Sequence, residues 1–447
     1  MREPRVITIW LNHYPTSPLL DETRAMADRF EQLHPGYHVE IEAYDFHDVP
    51  SAVVDAVRTG NQPTIAQIFY TSTQAALDMR GADGGRLFVP IEEAVAGRRE
   101  ILGEPVVLDD VMPAARGFYS HEGTLCSLPI EASTTLLYAN RTMLDAAGVT
   151  EMPRTWAEVD AACAAVAALG NAPEHTITWP NHGWIFQQQV AQQGGLLADA
   201  DNGRSGRART VDLASKEMLT FVEWWRRLHA EGHYAYSGDI DPTTCWAGVF
   251  KPFAEQRVAF TVNSSVMVGH LTRAGERNGF AVEAGRFPYN DALPCAGNLI
   301  GGDSLWLTAG LDRETEDGAL AFLQFLDNPE NAAHRHRSTS WLPVTGAARE
   351  LLDREGWFAE HPGYRVALDQ LAASDGSPAT IGALIGDFHA VQTVLTEAVH
   401  DILVTGADPL TRLTEATRAA NAHLAAYDAH CEGENGTRRS PAHLTVS

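Results

Sequence analysis

The sequence predicts an α/β fold, a mostly parallel sheet with helices on both faces, shared between two lobes. Three observations carry this reading. From Val6 to Phe69 short β-branched runs alternate with helical stretches in a βαβαβ order, the pattern of parallel strands joined by crossover helices. At 447 residues the chain is too long for one simple core and suits two lobes or domains. A later extended run, Gly297-Asn298-Leu299-Ile300-Gly301-Gly302-Asp303-Ser304-Leu305-Trp306, carries paired glycines, which let a backbone approach a neighbour or ligand closely.

The elements follow in order. Val6–Leu11 and Val39–Ala43 read as strands, separated by a helix whose Met26, Phe30 and Leu33 recur at helical spacing and which His34-Pro35-Gly36 stops. A helix over Val49–Arg58 ends at Thr59-Gly60, and Thr64–Phe69 is the next strand. Ligands of such sheets bind beyond the carboxyl ends of the strands, where Tyr70 and Thr71-Ser72-Thr73 fall. After Leu128-Pro129 the β-branched run to Tyr138 reads as an extended crossover strand. Asn140 to Ala147 is a helix closed by Gly148, a C′ glycine. Thr155 and Glu158 form a capping box opening the helix that runs to Gly170.

Composition removes several function classes. The net charge is −25, from 33 basic and 58 acidic residues, and no basic stripe offers a nucleic acid its phosphate contacts. No apolar run reaches the 18 residues of a membrane span. The five cysteines (Cys126, Cys163, Cys245, Cys295, Cys431) show no CxxC and no metal-type spacing, and free buried thiols are expected. His334 and His336 point to different helix faces and make no metal site. Trp224 and Trp225 lie on an amphipathic helix and are expected in the core. No P-loop, GxSxG or dinucleotide fingerprint occurs, and no cofactor is expected.

Four short motifs appear in one order: Leu128-Pro129, Tyr138-Ala139-Asn140, Ala147-Gly148 and Pro153-Arg154-Thr155-Trp156. The block from Gly297 to Pro343 follows, with Asn328-Pro329-Glu330 and Ser340-Trp341-Leu342-Pro343. Together these resemble the bacterial extracellular solute-binding proteins (family 1) that feed ABC importers, closest to the branch that binds glycerol 3-phosphate and glycerophosphodiesters. The resemblance runs from about Val6 to Tyr427. It implies a type II periplasmic-binding-protein-like fold in which two lobes close by a hinge on one ligand. Lobe one is expected to comprise 1–130 and 298–343, and lobe two 131–297 and 344–430. The tail 431–447, rich in Gly, Ser, Pro and charge, is expected to be disordered.

The resemblance also implies ligand positions. Ser133, Ser264 or Ser265, Trp184 and Gly302 keep the family type, and Trp341 stands where the family has tyrosine. Elsewhere this chain departs. A family tyrosine falls on Phe46, a family acid on Tyr70, and the phosphate-binding arginine near Leu384, with no arginine or lysine between Arg365 and Arg412. Phosphate recognition wants a guanidinium fork or equivalent charge. The inferred cleft gains Glu131, Asp303 and Asp387, with His389 nearby; Asp387 could instead cap the helix through His400. Carboxylates repel phosphate and accept from hydroxyls or pair with amines, so the expected solute is a neutral or amine-bearing sugar or polyol, less a glycerol phosphate.

Two functional readings follow. The first is a binding protein, monomeric, delivering a carbohydrate-like solute to an ABC permease without catalysis. The second is a cytoplasmic enzyme that has co-opted the fold and uses the cleft carboxylates on a sugar-like or aminocyclitol substrate. Met1-Arg2-Glu3-Pro4 lacks the regions of a secretory signal. The chain is therefore extracytoplasmic and membrane-tethered if a leader was removed, or cytoplasmic if Met1 is the native start. The family resemblance favours the binding protein.

Overall fold

A computed structural model describes residues 3–14, 17–45, 48–242, 244–433 and 438–441. Among the described residues the chain builds two main sheets and two two-stranded ribbons, Glu100–Ile101 with Glu104–Pro105 and Ser120–His121 with Thr124–Leu125. The first has six strands in the order Tyr37–Asp45, Arg5–His13, Ile65–Phe69, Asp303–Thr308 and Phe88–Val89, with Leu128–Pro129 also pairing to Asp303–Thr308. The second orders Ile177–Thr178, Phe260–Ser264, Thr135–Asn140 and Val282–Arg286.

The first three strands pair in parallel, as the βαβαβ order requires. Beyond them the expected mostly parallel pairing recurs only between Ile177–Thr178 and Phe260–Ser264 among the described residues. Asp303–Thr308 lies antiparallel to Ile65–Phe69, with Asp303 opposite Phe69, and Thr135–Asn140 is antiparallel to both its neighbours. The physical reason is the route. The chain returns to the first sheet from the second, so Asp303–Thr308 starts at the end where the parallel strands finish and runs back.

Local chemistry fixes the helices. Leu19–Leu33 buries Met26 and Phe30, and Phe30 meets Phe322 edge-on at 5.1 Å on the helix Arg313–Leu326. Truncating one such buried ring costs about 3–5 kcal/mol. The capping box at Trp156–Ala167 is formed: Thr155 Oγ1 accepts from the Glu158 N–H at 3.2 Å, and Glu158 Oε2 accepts from the Thr155 N–H at 3.1 Å. Trp224 and Trp225 are buried as expected, and Trp224 stacks on Trp156 at 4.8 Å. Four of the free cysteines are buried, whereas Cys295 is exposed.

Two segments cross between the sheets, one running from Leu128 to Thr135 and one from Leu299 to Asp303. They pair with each other. Ser133 N–H donates to the Gly301 carbonyl at 2.8 Å, and Gly301 N–H to the Ser133 carbonyl at 2.9 Å. Ala132 bridges to Leu342.

The expected loose tail does not start at Cys431. The last helix, Pro409–Glu432, contains it, and Cys431 is buried. Arg439 N–H donates to the Cys431 carbonyl at 2.9 Å, and Ser440 Oγ accepts from the Arg80 N–H at 2.9 Å. The alanine-rich periodicity carries the helix further than composition indicated. Residues 434–437 and 442–447 of that tail lie outside the described residues. No helix among the described residues is long and apolar enough to cross a membrane.

Candidate functional site

The carboxyl ends of all three parallel strands open onto one cleft of about 540 Å³. Tyr14 follows the strand Arg5–His13, Asp45 ends Tyr37–Asp45, and Phe69 with Tyr70 ends Ile65–Phe69. The second sheet contributes Asn263 and Ser264 from the end of Phe260–Ser264, and the crossing segments contribute Ser133, Gly301 and Gly302. Helices supply the rest: His182 and Trp184 at the start of Gly183–Gln192, Trp246 in Cys245–Ala254, and His389 and Gln392 in Phe388–Thr405.

Aromatic rings make the walls. Trp184 lies 6.5 Å from Tyr70 and 6.1 Å from Trp246, whose ring is 5.1 Å from His182. Trp341 lies 6.0 Å from Tyr14. Such faces suit the apolar faces of a sugar ring or a cation.

Apart from Asp45, the polar groups between the rings are neutral. Trp184 Nε1 and Asn263 Nδ2 are buried donors with no protein partner; the Asn263 Oδ1 accepts from the Ser264 N–H at 2.8 Å, which fixes that amide's orientation. Buried donors left without a partner are rare and costly. His182 Nδ1 accepts from the Trp184 N–H at 3.1 Å. Burial, and then the neighbouring His389, push the His182 imidazole down to about 4, so it is neutral at pH 7. Burial also lowers His389, against the pull of Asp387. Among the described lining residues there is no lysine or arginine, and Asp45 is the one carboxylate.

Of the twelve positions expected from sequence, seven line this cleft: Tyr70, Ser133, Trp184, Ser264, Gly302, Trp341 and His389. Phe46 lies outside the described residues, next to Asp45. Four do not reach it. Ser265 is buried, its hydroxyl accepting from the Thr134 N–H at 3.2 Å. Glu131 and Asp303 are 1 % and 0 % exposed, one layer behind the wall. Asp303 Oδ2 accepts from the Tyr14 hydroxyl at 2.5 Å, and Oδ1 from Asn12 Nδ2 at 2.9 Å. Asp387 is the N-cap residue of Phe388–Thr405, and its carboxylate lies 4.0 Å from His423 on the last helix. The enzyme reading needs these three acids beside His389 in one cleft; only His389 lies there.

The paired glycines are required by protein neighbours. A Cβ on Gly301 would stand 2.8 Å from Trp184, and one on Gly302, whose φ is +130°, would stand 2.1 Å from the Glu131 carbonyl oxygen. Sequence reasoning missed Tyr14, Asp45, His182, Asn263, Trp246 and Gln392. The strand-end rule that found Tyr70 also applies to Tyr14 and Asp45; Trp246 gives no local signal.

A second cavity of about 650 Å³ contains Arg80, Arg86, Arg207 and Arg438. Its better buried cations are already committed. Arg80 Nη1 donates to the Leu77 and Met79 carbonyls, and Arg207 pairs with Asp78 and Asp428.

A family model described as bacterial extracellular solute-binding protein matches residues 25–366. The sn-glycerol-3-phosphate-binding periplasmic protein UgpB of Salmonella typhimurium is 28 % identical over 431 residues, covering 95 % of this chain and 94 % of that one. Solved structures share the fold. UgpB from Mycobacterium tuberculosis in complex with glycerophosphocholine superposes with a TM-score of 0.72 at 21 % identity, over 95 % of this chain and 99 % of that one. The GacH receptor of Streptomyces glaucescens, solved unliganded and with acarbose, gives 0.70 at 18 % identity, over 94 % and 98 %. These similarities identify the type II two-lobed fold.

Proposed function

This chain belongs to the bacterial extracellular solute-binding protein family, and from that premise we propose that its cleft takes a neutral or amine-bearing sugar or polyol rather than a glycerol phosphate. Its role is that of the substrate-binding protein of an ABC importer. The observation that carries the choice of solute is the lining: aromatic faces, two unpartnered neutral donors, and no lysine or arginine among the described residues. A phosphate dianion there would face Asp45 and neutral imidazoles, with no guanidinium to offset its desolvation. Hydroxyl oxygens would accept from Trp184 Nε1 and Asn263 Nδ2 at little electrostatic cost, with a ring face against Trp184, Trp246 or Trp341.

The first sheet, with 1–130 and 298–343, is then lobe one; 131–297 and 344–430 form lobe two. The crossing segments around Ser133 and Gly301 are the hinge, and closure on the solute presents the shape that the permease reads. A place outside the cytoplasmic membrane, tethered to it, and a monomeric state accord with this role.

A thermal-shift panel tests the reading. Neutral sugars, amino sugars and aminocyclitols are compared with glycerol 3-phosphate and glycerophosphocholine. A solute at a hundred times its Kd stabilises the folded state by about 2.7 kcal/mol. A shift with sugars or amines and none with the phosphates is expected. A shift with glycerol 3-phosphate alone overturns the choice of solute.

A further inference from the structure

Glu131 and Asp303 stand opposite each other where the two crossing segments meet. Asp303 N–H donates to the Glu131 carbonyl at 3.2 Å, and Glu131 N–H to the Asp303 carbonyl at 3.3 Å. Both side chains are buried. Their partners are unequal. Asp303 accepts from Tyr14 and from Asn12, one donor on each oxygen. Glu131 accepts from Gln67 Nε2 at 3.2 Å on Oε1, its carboxyl also hydrogen-bonds that of Asp303, and among the described residues no other donor reaches its Oε2.

Among the described residues no cation is free to neutralise two charges here. The cation that faces Glu131 is Arg335, on the helix Pro329–Thr339, and it is committed to Asp327 and to the Leu326 carbonyl. A void of about 10 Å³ lies between Glu131, Gln67 and Arg335, room for one water. The remaining titratable groups against the pair are the hydroxyls of Tyr14, from the first strand, and of Tyr119, from the helix Pro113–Tyr119. Burial pushes both hydroxyls up, so they remain donors. Two carboxylates in one buried site cannot both ionise cheaply.

We infer that Glu131 and Asp303 share a single proton, carried by Glu131, so that Asp303 stays the ionised acceptor that positions Tyr14 against Trp341 in the cleft. Both carboxyls are pushed up, by burial first: Glu131 also by the charge of Asp303, and Asp303 only to about 6 because Tyr14, Glu131 and Asn12 donate to it. The meaning of Tyr14's position rests on the cleft being the solute site; the shared proton does not. Asp303 is a positioning residue, one hydroxyl removed from any solute.

The folded chain therefore keeps a proton that the unfolded chain has lost above pH 5. A folded-state pKa raised above the unfolded value gives stability that is full at low pH and is lost as pH rises through the folded value. Urea unfolding of wild type and Glu131→Gln is compared from pH 7 to 8, above the Asp303 value of about 6, so that Asp303 is ionised throughout. The amide carries permanent N–H donors and no titrating proton, and differencing removes the other titrating groups. The unfolding constant of wild type relative to the variant is expected to rise about tenfold per pH unit, the signature of one retained proton. Infrared spectra of wild type at pH 7 give a second readout that needs no variant. A protonated-carboxyl C=O band that shifts when carbon-13-labelled glutamate is incorporated is expected. Parallel stability profiles, or no glutamate-sensitive band at pH 7, would overturn the shared proton. Neither measurement uses a solute, so either can fail while the solute panel succeeds, and the reverse.

Discussion

The cleft wall and the layer directly behind it are built from neighbouring residues with opposite chemistry. Gly302 faces the cleft, and Asp303, the next residue, is wholly buried. Trp341 lines the cleft, whereas His336, on the preceding helix Pro329–Thr339, hydrogen-bonds the Trp341 carbonyl at 2.8 Å from within the core. The wall has rings and neutral donors without a partner among the described residues, the features on which the proposed solute site rests. The layer behind has acids, an arginine and histidines whose partners are mostly other protein groups. On the proposed function selectivity belongs to the wall, and stability with its pH dependence belongs to the layer behind.

That division can be broken in four places. The largest effect is expected from Gly302→Ala. Its φ of +130° and a Cβ that would stand 2.1 Å from the Glu131 carbonyl oxygen should destabilise the fold by roughly 3 kcal/mol or more, read as a fall in the urea midpoint. An unchanged midpoint would mean that the crossing segments tolerate a shift this account forbids.

Next comes acid. Burial pushes the His336 imidazole down to about 4. A base with a lowered folded-state value gives stability that is present above its unfolded pKa and is lost as pH falls toward the folded one. From pH 6.5 down to 4 wild type should lose on the order of 3 kcal/mol more than His336→Gln, the loss from His182, also lowered to about 4, being common to both. This is opposite in sign to the loss expected from the Glu131–Asp303 pair as pH rises.

Trp246→Ala should then weaken solute binding about thirtyfold, the roughly 2 kcal/mol of an aromatic anchor, while the half-buried ring costs little stability. Calorimetric titration and the urea midpoint separate the two. Asp387→Asn should change solute affinity less than twofold, because its carboxylate lies against His423. A tenfold loss there would return Asp387 to the cleft.

Much of this was legible in the sequence, and the misses share one cause. Helix and strand periodicity located the first sheet from Val6 to Phe69, and the Thr155–Glu158 pair located a helix start to the residue. Motif order placed Trp184, Ser133, Ser264, Gly302 and Trp341 around one cleft. What residue type could not convey was direction. Glu131 and Asp303 sit on cleft-forming segments, yet the pairing of those segments turns their side chains away from it. The antiparallel entry of Asp303–Thr308 depends on the chain returning from a second sheet, a long-range fact that no local window contains. Trp246 reaches the cleft from a helix with no motif of its own.

The most direct test is a crystal structure of the chain with a solute found by the panel. The account predicts a ring face against Trp184, Trp246 or Trp341, solute oxygens accepting from Trp184 Nε1 and Asn263 Nδ2, and no solute atom within hydrogen-bonding distance of Glu131 or Asp303. A solute held by either of those carboxylates would contradict it.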